Sequence, residues 1–405
     1  VREIAEVSAE TKVNFIWAIH PGNSFLGSST VVSDVMNKFT MMYQLGVRQF
    51  AVFVDDVSIP STAEQFALNA QRVTDIQRSI EAKWNTEGAA PADTVKPLQF
   101  VPQIYCSAFA SGETQRRDFF TALAATPANV AIYTTGWGVW SVPNSSDVNQ
   151  VRQYLGRDVA WWWNYPCNDN DNDKLFPADM YTNFSDESHI GASDRPDAAL
   201  SHCLGVLSNP MQQGEISKIA LFSVADYAWN NDGFSNAKSY AAAIPAVVGN
   251  ERAEAFATLV PYIRYFDETA LSTLVNNYKN TLKGGRPNST DLKAKMVDII
   301  TAAKVIREME TSENESDRLF FTDLKPWLNR LDDMAQQVIA LLDAAEAETP
   351  QSAWEAYATI PSLYALLDTD SRYEAPRLAG SVGANLSIGA TKVHPAHRVL
   401  YPFMS

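Results

Sequence analysis

Six short apolar runs, each ending in a polar or aromatic cluster, constrain this chain more than any other feature. They are Val13 to Ile19, Gln49 to Val54, Leu98 to Ile104, Val130 to Thr134, Asp158 to Trp163 and Cys203 to Leu207. Between them lie helical patterns with apolar residues at i, i+3 and i+4, as at Val31 to Leu45 and Ala63 to Trp84. Strands alternating with helices demand right-handed crossovers and a parallel sheet. Gln49 to Val54 is apolar almost throughout, as a strand covered on both faces is.

Six such units fit either a doubly wound sheet or an eight-unit barrel short of two. The loops decide between them. HPG follows the first strand, DDV the second, YCSAF the third, TTGWG the fourth, NYPCND the fifth and SNPMQQ the sixth. A switch-point site loads two or three loops, whereas a barrel draws on nearly all of them. The predicted fold class is therefore α/β: a (β/α)8 TIM-type barrel over residues 1–240, with about six of its eight β/α units in this chain. Residues 241–367 predict an α-helical bundle. There Leu324, Trp327, Leu328, Leu331, Met334, Val338, Leu341 and Leu342 recur every three or four positions, and KGGRPNST (Lys283 to Thr290) breaks two helices. The charged residues of that region read as a solvated face, and Ser352 with Glu355 reads as a capping box. Gly, Pro and short β-branched runs return over 368–405, a return segment or linker to a further module.

The run FAVFVDDV ends an apolar strand in two adjacent carboxylates, Asp55 and Asp56. Chemistry in barrels and open α/β sheets gathers at the carboxyl ends of the strands. Adjacent like charges repel, so one pKa rises and one carboxyl can serve as an acid while its neighbour stays ionised. The bland alternative is a helix N-cap pair.

Composition removes whole classes of function. With 47 acidic and 32 basic residues the formal charge is −15, and there is no Lys/Arg stripe to release counterions from nucleic acid. No apolar run approaches the roughly 20 residues that a membrane helix requires. Three cysteines (Cys106, Cys167 and Cys203) are too few and too scattered for a disulfide framework or a zinc site. The run DNDNDK imitates a calcium loop, but has Lys174 where the turn needs Gly and Met180 where a bidentate Glu belongs. A phosphate loop, a complete dinucleotide loop and a G-x-S-x-G elbow are all absent. The five histidines show no ligand spacing; His20 is read as shaping the HPG turn. Neither a metal nor a cofactor is expected.

What remains is a set of carboxylates, amides and aromatics: Asp55, Asp56, Tyr105, Trp162, Asn164, Asp169 and Asn209. Carbohydrate sites are built from these groups, because hydroxyls need bidentate acceptors and aromatic faces cover the C–H side of a sugar ring. In WWW (Trp161 to Trp163) the side chains must alternate, so Trp161 and Trp163 are assigned to the core.

IWAIHPG, FVDDV, NYPCND and GVLSNP, in this order, resemble the family 84 glycoside hydrolases, which comprise O-GlcNAcases and bacterial β-N-acetylglucosaminidases. DLKPWLNRL and TKVHPAHRVLYPFM are similar to the bundle that follows their barrel. The resemblance implies a retaining, substrate-assisted hydrolysis of terminal β-linked N-acetylglucosamine through an oxazoline, one of the exceptions to the two-carboxylate scheme. Carried over by motif, Asp55 orients the acetamido N–H and Asp56 protonates the leaving oxygen, then activates water. Tyr105 bonds the acetamido group, Asn164 braces it and Trp162 walls its methyl. Asp169 accepts from the O4 and O6 hydroxyls, and Asn209 serves the O3 side. The implied partner is a glycan or glycoprotein with terminal N-acetylglucosamine, and the expected location is secreted or cell-surface, of bacterial type. The family's first-strand sugar-binding turn and a following Lys have no counterpart here. This implies barrel strands supplied by an amino-terminal segment of the same precursor, either continuous with the chain or as a separate one. The competing readings are a non-catalytic carbohydrate-binding or adhesion protein, and a hexosaminidase for another N-acetylated sugar.

Overall fold

The computed structural model describes residues 1–168, 175–177, 202–263, 268–358, 369–379, 387–396 and 398–404. Two compact units divide these residues. The first holds 1–164 and 202–208, and the second holds the rest.

In the first unit all six expected strands form: β1 (Trp17–Ile19), β2 (Phe50–Phe53), β3 (Gln99–Val101), β4 (Ala131–Thr134), β5 (Val159–Trp163) and β6 (Cys203–Ser208). They make one parallel sheet in the order β1-β2-β3-β4-β5-β6. A doubly wound sheet reverses its order at a switch point; an unbroken sequential order is that of a barrel wall. Among the described residues β1 and β6 each have one neighbour, so this wall is not closed on itself.

Helices α1 (Arg2–Thr11), α2 (Ser24–Gly27), α3 (Val31–Gln44), α4 (Ala63–Trp84), α5 (Glu113–Leu123) and α6 (Ser145–Leu155) complete the unit. Helix α4 spans the residues its periodicity predicts. Its start is fixed because Thr62 accepts the Gln65 N–H while Gln65 Oε1 accepts the Thr62 N–H, each at 3.3 Å.

Alternation along the strands separates the two faces of the sheet. Phe50, Val52, Phe100, Ile132 and Trp161 are all fully buried on one face, where Phe39 of α3 stacks on Phe50 with centroids 4.3 Å apart. Burying a side chain of that size contributes roughly 1.5–3 kcal/mol, so this face carries the unit's stability. The other face pairs Ala51 with Gln99, Phe53 with Val101, Tyr133 with Ala160 and Trp162 with Leu207. Phe53, Gln99 and Trp162 there are only half-buried. Full cover on both faces, as read from the sequence, thus holds for Phe50 to Val52 and gives way at Phe53.

The second unit contains α7 (Gly214–Trp229), α8 (Asn236–Val248), α9 (Asn250–Ile263), α10 (Thr269–Lys283), α11 (Thr290–Arg307), α12 (Glu315–Ala345) and α13 (Pro350–Ala358). The predicted break at Lys283 to Thr290 is the turn between α10 and α11. Of the predicted stripe on α12, Leu324, Trp327, Leu328, Leu331, Met334, Val338 and Leu342 enter one core, while Leu341 is half-buried.

Two readings of this region need correction. Its charges are not all solvated: Asp323 Oδ2 on α12 accepts the N–H groups of Glu215 (2.8 Å) and Ile216 (3.3 Å), satisfying the start of α7. Glu346 likewise accepts from Ser289 and Lys293 at the start of α11. At α13 the cap is Thr349, whose Oγ1 takes the Ser352 N–H at 3.1 Å; Ser352 is the third-position partner, because Pro350 suits the first helical position.

β7 (Glu374–Ala379) and β8 (Ser387–Lys392) pair as an antiparallel hairpin. The fully buried Arg330 on α12 donates to the Val393 carbonyl, and its guanidinium carbon lies 5.9 Å from the Tyr373 ring centroid, so the hairpin's ends join the helical core. A short helix, α14 (Leu400–Met404), follows. None of the described helices is long and apolar enough to cross a membrane.

The turn after β4 depends on Gly136. Its φ of +81° lies in the left-handed region, and a Cβ there would come within 2.6 Å of both Asp147 Oδ2 and the Trp161 ring. Gly136→Ala is expected to cost about 2–4 kcal/mol through backbone strain combined with overpacking. Denaturant unfolding checks this, and a variant within the parent's error would show that the turn relaxes freely.

Candidate active site

Strand β2 delivers the two carboxylates. The ladder extends one residue past it, with the Val54 N–H bonded to the Val101 carbonyl at 2.9 Å, and the chain then turns at Asp55 and Asp56. Asp56 has φ +52°, a left-handed conformation that costs a non-glycine residue roughly 1–2 kcal/mol. That strain turns two consecutive residues apart, leaving Asp55 half-buried and Asp56 exposed. Neither is a helix cap: α4 begins several residues later and is capped by Thr62.

Tyr105 joins them from the end of β3. Its hydroxyl donates to Asp56 Oδ1 at 3.1 Å. The Tyr105 carbonyl accepts from Thr134 Oγ1 and from the Thr135 N–H, both at 2.8 Å, so the phenol is aimed from a fixed backbone. Burial, then the charge on Asp56, pushes this phenol far above its ordinary pKa, so it stays a neutral donor.

Trp162 and Asn164 come from β5. Trp161 and Trp163 are buried, as alternation requires, and Trp162 lies on the sheet face that carries Phe53, Tyr105, Tyr133 and Val139. Its indole Nε1 donates to Asn164 Oδ1 at 2.7 Å, and Asn164 Nδ2 donates to the Val139 carbonyl at 2.8 Å. With its edge-on contact to Phe53 at 5.2 Å, the ring is held as a fixed wall. Asp55, Asp56, Tyr105, Trp162 and Asn164 all lie at the carboxyl ends of β2, β3 and β5 in one unit. Asn209 directly follows β6 and belongs to the second unit. Asp169, with the DNDNDK run, lies outside the described residues.

Asp55 is under opposing electrostatic influences. Burial is the larger influence here: it pushes the Asp55 carboxyl above its ordinary 3.8, the charge on Asp56 adds to that, and His20 and a backbone hydrogen bond oppose it. Asp55 Oδ1 is buried and has no hydrogen-bond partner among the described residues. A buried carboxylate oxygen left unpaired is costly, so a donor that enters beside it is favoured.

One contributor was missed. His20 does shape the HPG turn, since its Nδ1 accepts the Gly22 N–H at 3.2 Å. Its Nε2 also lies 2.8 Å from the Asp55 carbonyl oxygen and 3.6 Å from Asp55 Oδ1. The signal was present in the loop series, because HPG ends the strand neighbouring β2 and so faces DDV.

Residues 1–261 match the family model described as NAGidase, beta-N-acetylglucosaminidase. The chain belongs to this family. Among solved structures it is similar to that of CpGH84D (TM-score 0.75, 22% identity), with all of this chain and 64% of that one covered. It is similar also to CpGH84B (TM-score 0.70, 21% identity, all of this chain and 66% of that one). A mutant of the Thermobaculum terrenum O-GlcNAc hydrolase matches with TM-score 0.70 and 19% identity, over all of this chain and 80% of that one. The chain thus spans about two thirds of the length of the first two. At these identities the likeness establishes a shared fold, in keeping with the barrel wall and helical bundle.

The raised pKa of Asp55 has a consequence for stability. A carboxyl with a folded pKa above its unfolded value binds its proton more tightly when folded, so stability falls as pH rises through that interval and the penalty is absent below about 3.8. Asp55→Asn is therefore expected to raise the thermal midpoint at pH 7, with the gain vanishing near pH 3.5. Equal midpoints at pH 7 would show that Asp55 carries no such penalty.

Proposed function

We propose that this chain is a retaining exo-β-N-acetylglucosaminidase working by substrate-assisted catalysis. The observation that carries the reading is Asp55 Oδ1, a buried acceptor with no partner among the described residues, beside an exposed carboxyl held by a phenol. The acetamido N–H of a 2-acetamido sugar is the donor that such an acceptor requires. As that N–H is drawn to Asp55, the acetamide oxygen attacks the anomeric carbon and Asp56 gives its proton to the departing glycosidic oxygen. The oxazoline is then opened by water, which loses a proton to Asp56. Positive charge develops on the acetamido nitrogen in the transition state, and the Asp55 carboxylate that accepts its N–H stabilises that charge.

The remaining groups divide between the sugar and its supports. Tyr105, whose single O–H goes to Asp56 in the free chain, turns it to the acetamido group when the sugar binds. Trp162 closes around the acetyl methyl, and Asn164 braces that wall through the Trp162 Nε1 bond. Family membership extends the assignment to Asn209 at the O3 side and Asp169 at O4 and O6. The substrate in this reading is a glycan or glycoprotein ending in β-linked N-acetylglucosamine, met outside the cell or at its surface.

Asp56→Asn is expected to slow substrates with poor leaving groups by roughly 10² to 10⁴, and activated aryl β-N-acetylglucosaminides much less. Steady-state rates across leaving groups of graded pKa test this, and losses of equal size throughout would remove Asp56 from the acid role.

Asp55→Asn should slow all leaving groups alike. Replacing the acetyl of the substrate by mono-, di- and trifluoroacetyl should depress the parent's rate steeply, because the amide oxygen loses nucleophilicity. A rate indifferent to fluorination would point to a nucleophile on the protein and sink the scheme. Binding of the sugar without any turnover would favour a carbohydrate-binding protein.

A further inference from the structure

The structure assigns His20 a positioning role: it clamps the peptide group between the two catalytic carboxylates, and so sets the direction of both. The inference rests on the reading of Asp55 and Asp56 given above, and adds a residue to it. The contact at 2.8 Å is to the main-chain carbonyl of Asp55, whose peptide group also contains the nitrogen of Asp56. Rotation about the Asp56 N–Cα bond, where φ is +52°, starts from the plane of that peptide. Pinning the carbonyl oxygen therefore fixes the plane from which the Asp55 and Asp56 side chains both depart. A strained φ persists only where its surroundings over-determine it, and this hydrogen bond is one such constraint.

The tautomer follows from the partners. Nδ1 faces the Gly22 N–H at 3.2 Å, so it must be the acceptor, and Nε2 must carry the proton it gives to the Asp55 carbonyl. His20 thereby bridges the turn after β1 and the turn after β2. Its separation of 3.6 Å from Asp55 Oδ1 is too long for a hydrogen bond, which leaves that oxygen free for the substrate. The ionisable groups along this bridge are Asp55, Asp56 and, through its bond to Asp56, Tyr105. An ordinary structural histidine would not need to meet the main chain at the one peptide shared by both acids.

Two substitutions separate the turn from the clamp. In His20→Asn the side-chain oxygen can still accept the Gly22 N–H as an Asx-turn, but it cannot reach Asp55. In His20→Gln the side-chain amide has the reach of Nε2 and can donate to the Asp55 carbonyl. With an aryl β-N-acetylglucosaminide, His20→Asn is expected to lower kcat roughly 10- to 100-fold with KM within about threefold of the parent, as loss of alignment does. His20→Gln should restore kcat to within about fivefold of the parent. Equal losses in both variants, or a change confined to KM, would reduce His20 to a turn former and overturn the assignment. A readout independent of activity keeps this distinct from the proposed reaction. Nitrogen-15 shifts of the His20 imidazole at neutral pH should show a protonated Nε2 and a bare Nδ1, and finding the opposite tautomer would overturn the clamp whatever the chain hydrolyses. Correct shifts in a parent that turns over no β-N-acetylhexosaminide would uphold the clamp and reject the reaction.

Discussion

Parallel pairing in sequential order is the constraint on which the first unit depends. Because β1 through β6 all run the same way, every strand releases its chain at the same edge, and residues distant in sequence arrive there together. Asp56, Tyr105 and Asn164 follow three different strands, yet Tyr105 hydrogen-bonds Asp56 and Asn164 holds the indole on the sheet face they share. Alternation then divides the work. The face bearing Phe50, Phe100 and Trp161 is sealed by helices and stabilises the unit, which leaves the half-buried face free to be shaped for a ligand.

The parts of this fold that rest on pattern were legible in the sequence. The periodicity of α4 gave its limits because a capping box and a terminal Asn coincide with them. The WWW run resolved correctly because alternation is a geometric necessity, not a preference. Asp55 and Asp56 stand out in the sequence as charge at the end of an apolar strand, and the structure places both at the carboxyl end of β2 and neither at a helix cap. The bundle's stripe on α12 was legible for the same reason that it forms: one face is apolar over many turns.

What stayed hidden depends on contacts between segments far apart in sequence. Asp323 looks like any solvated helix carboxylate until α7 arrives to be capped by it. The cap of α13 shifted to Thr349 because two short polar residues three apart can exchange hydrogen bonds without a Glu. His20 was read as a turn former, which it is, but its second nitrogen acts on a residue 35 positions away. The positive φ of Asp56 had no sequence signal either, since Asp tolerates that region without requiring it.

These hidden features share a physical character, which is that each costs the fold something. Asp55 has a buried oxygen with no partner among the described residues, Asp56 holds a strained backbone, and the loop after β4 crowds any Cβ at position 136. None of the three improves packing, and each is held by neighbours: Asp55 and Asp56 by His20 and Tyr105, and the loop by Thr134 and Asp147. A sheet sealed on one face by large aromatics has stability in reserve to hold such an arrangement, and spending it at one strand edge is how a stable wall becomes a reactive one. The unpaired oxygen in particular makes sense only as half of an interaction. An N–H or O–H donor completes it.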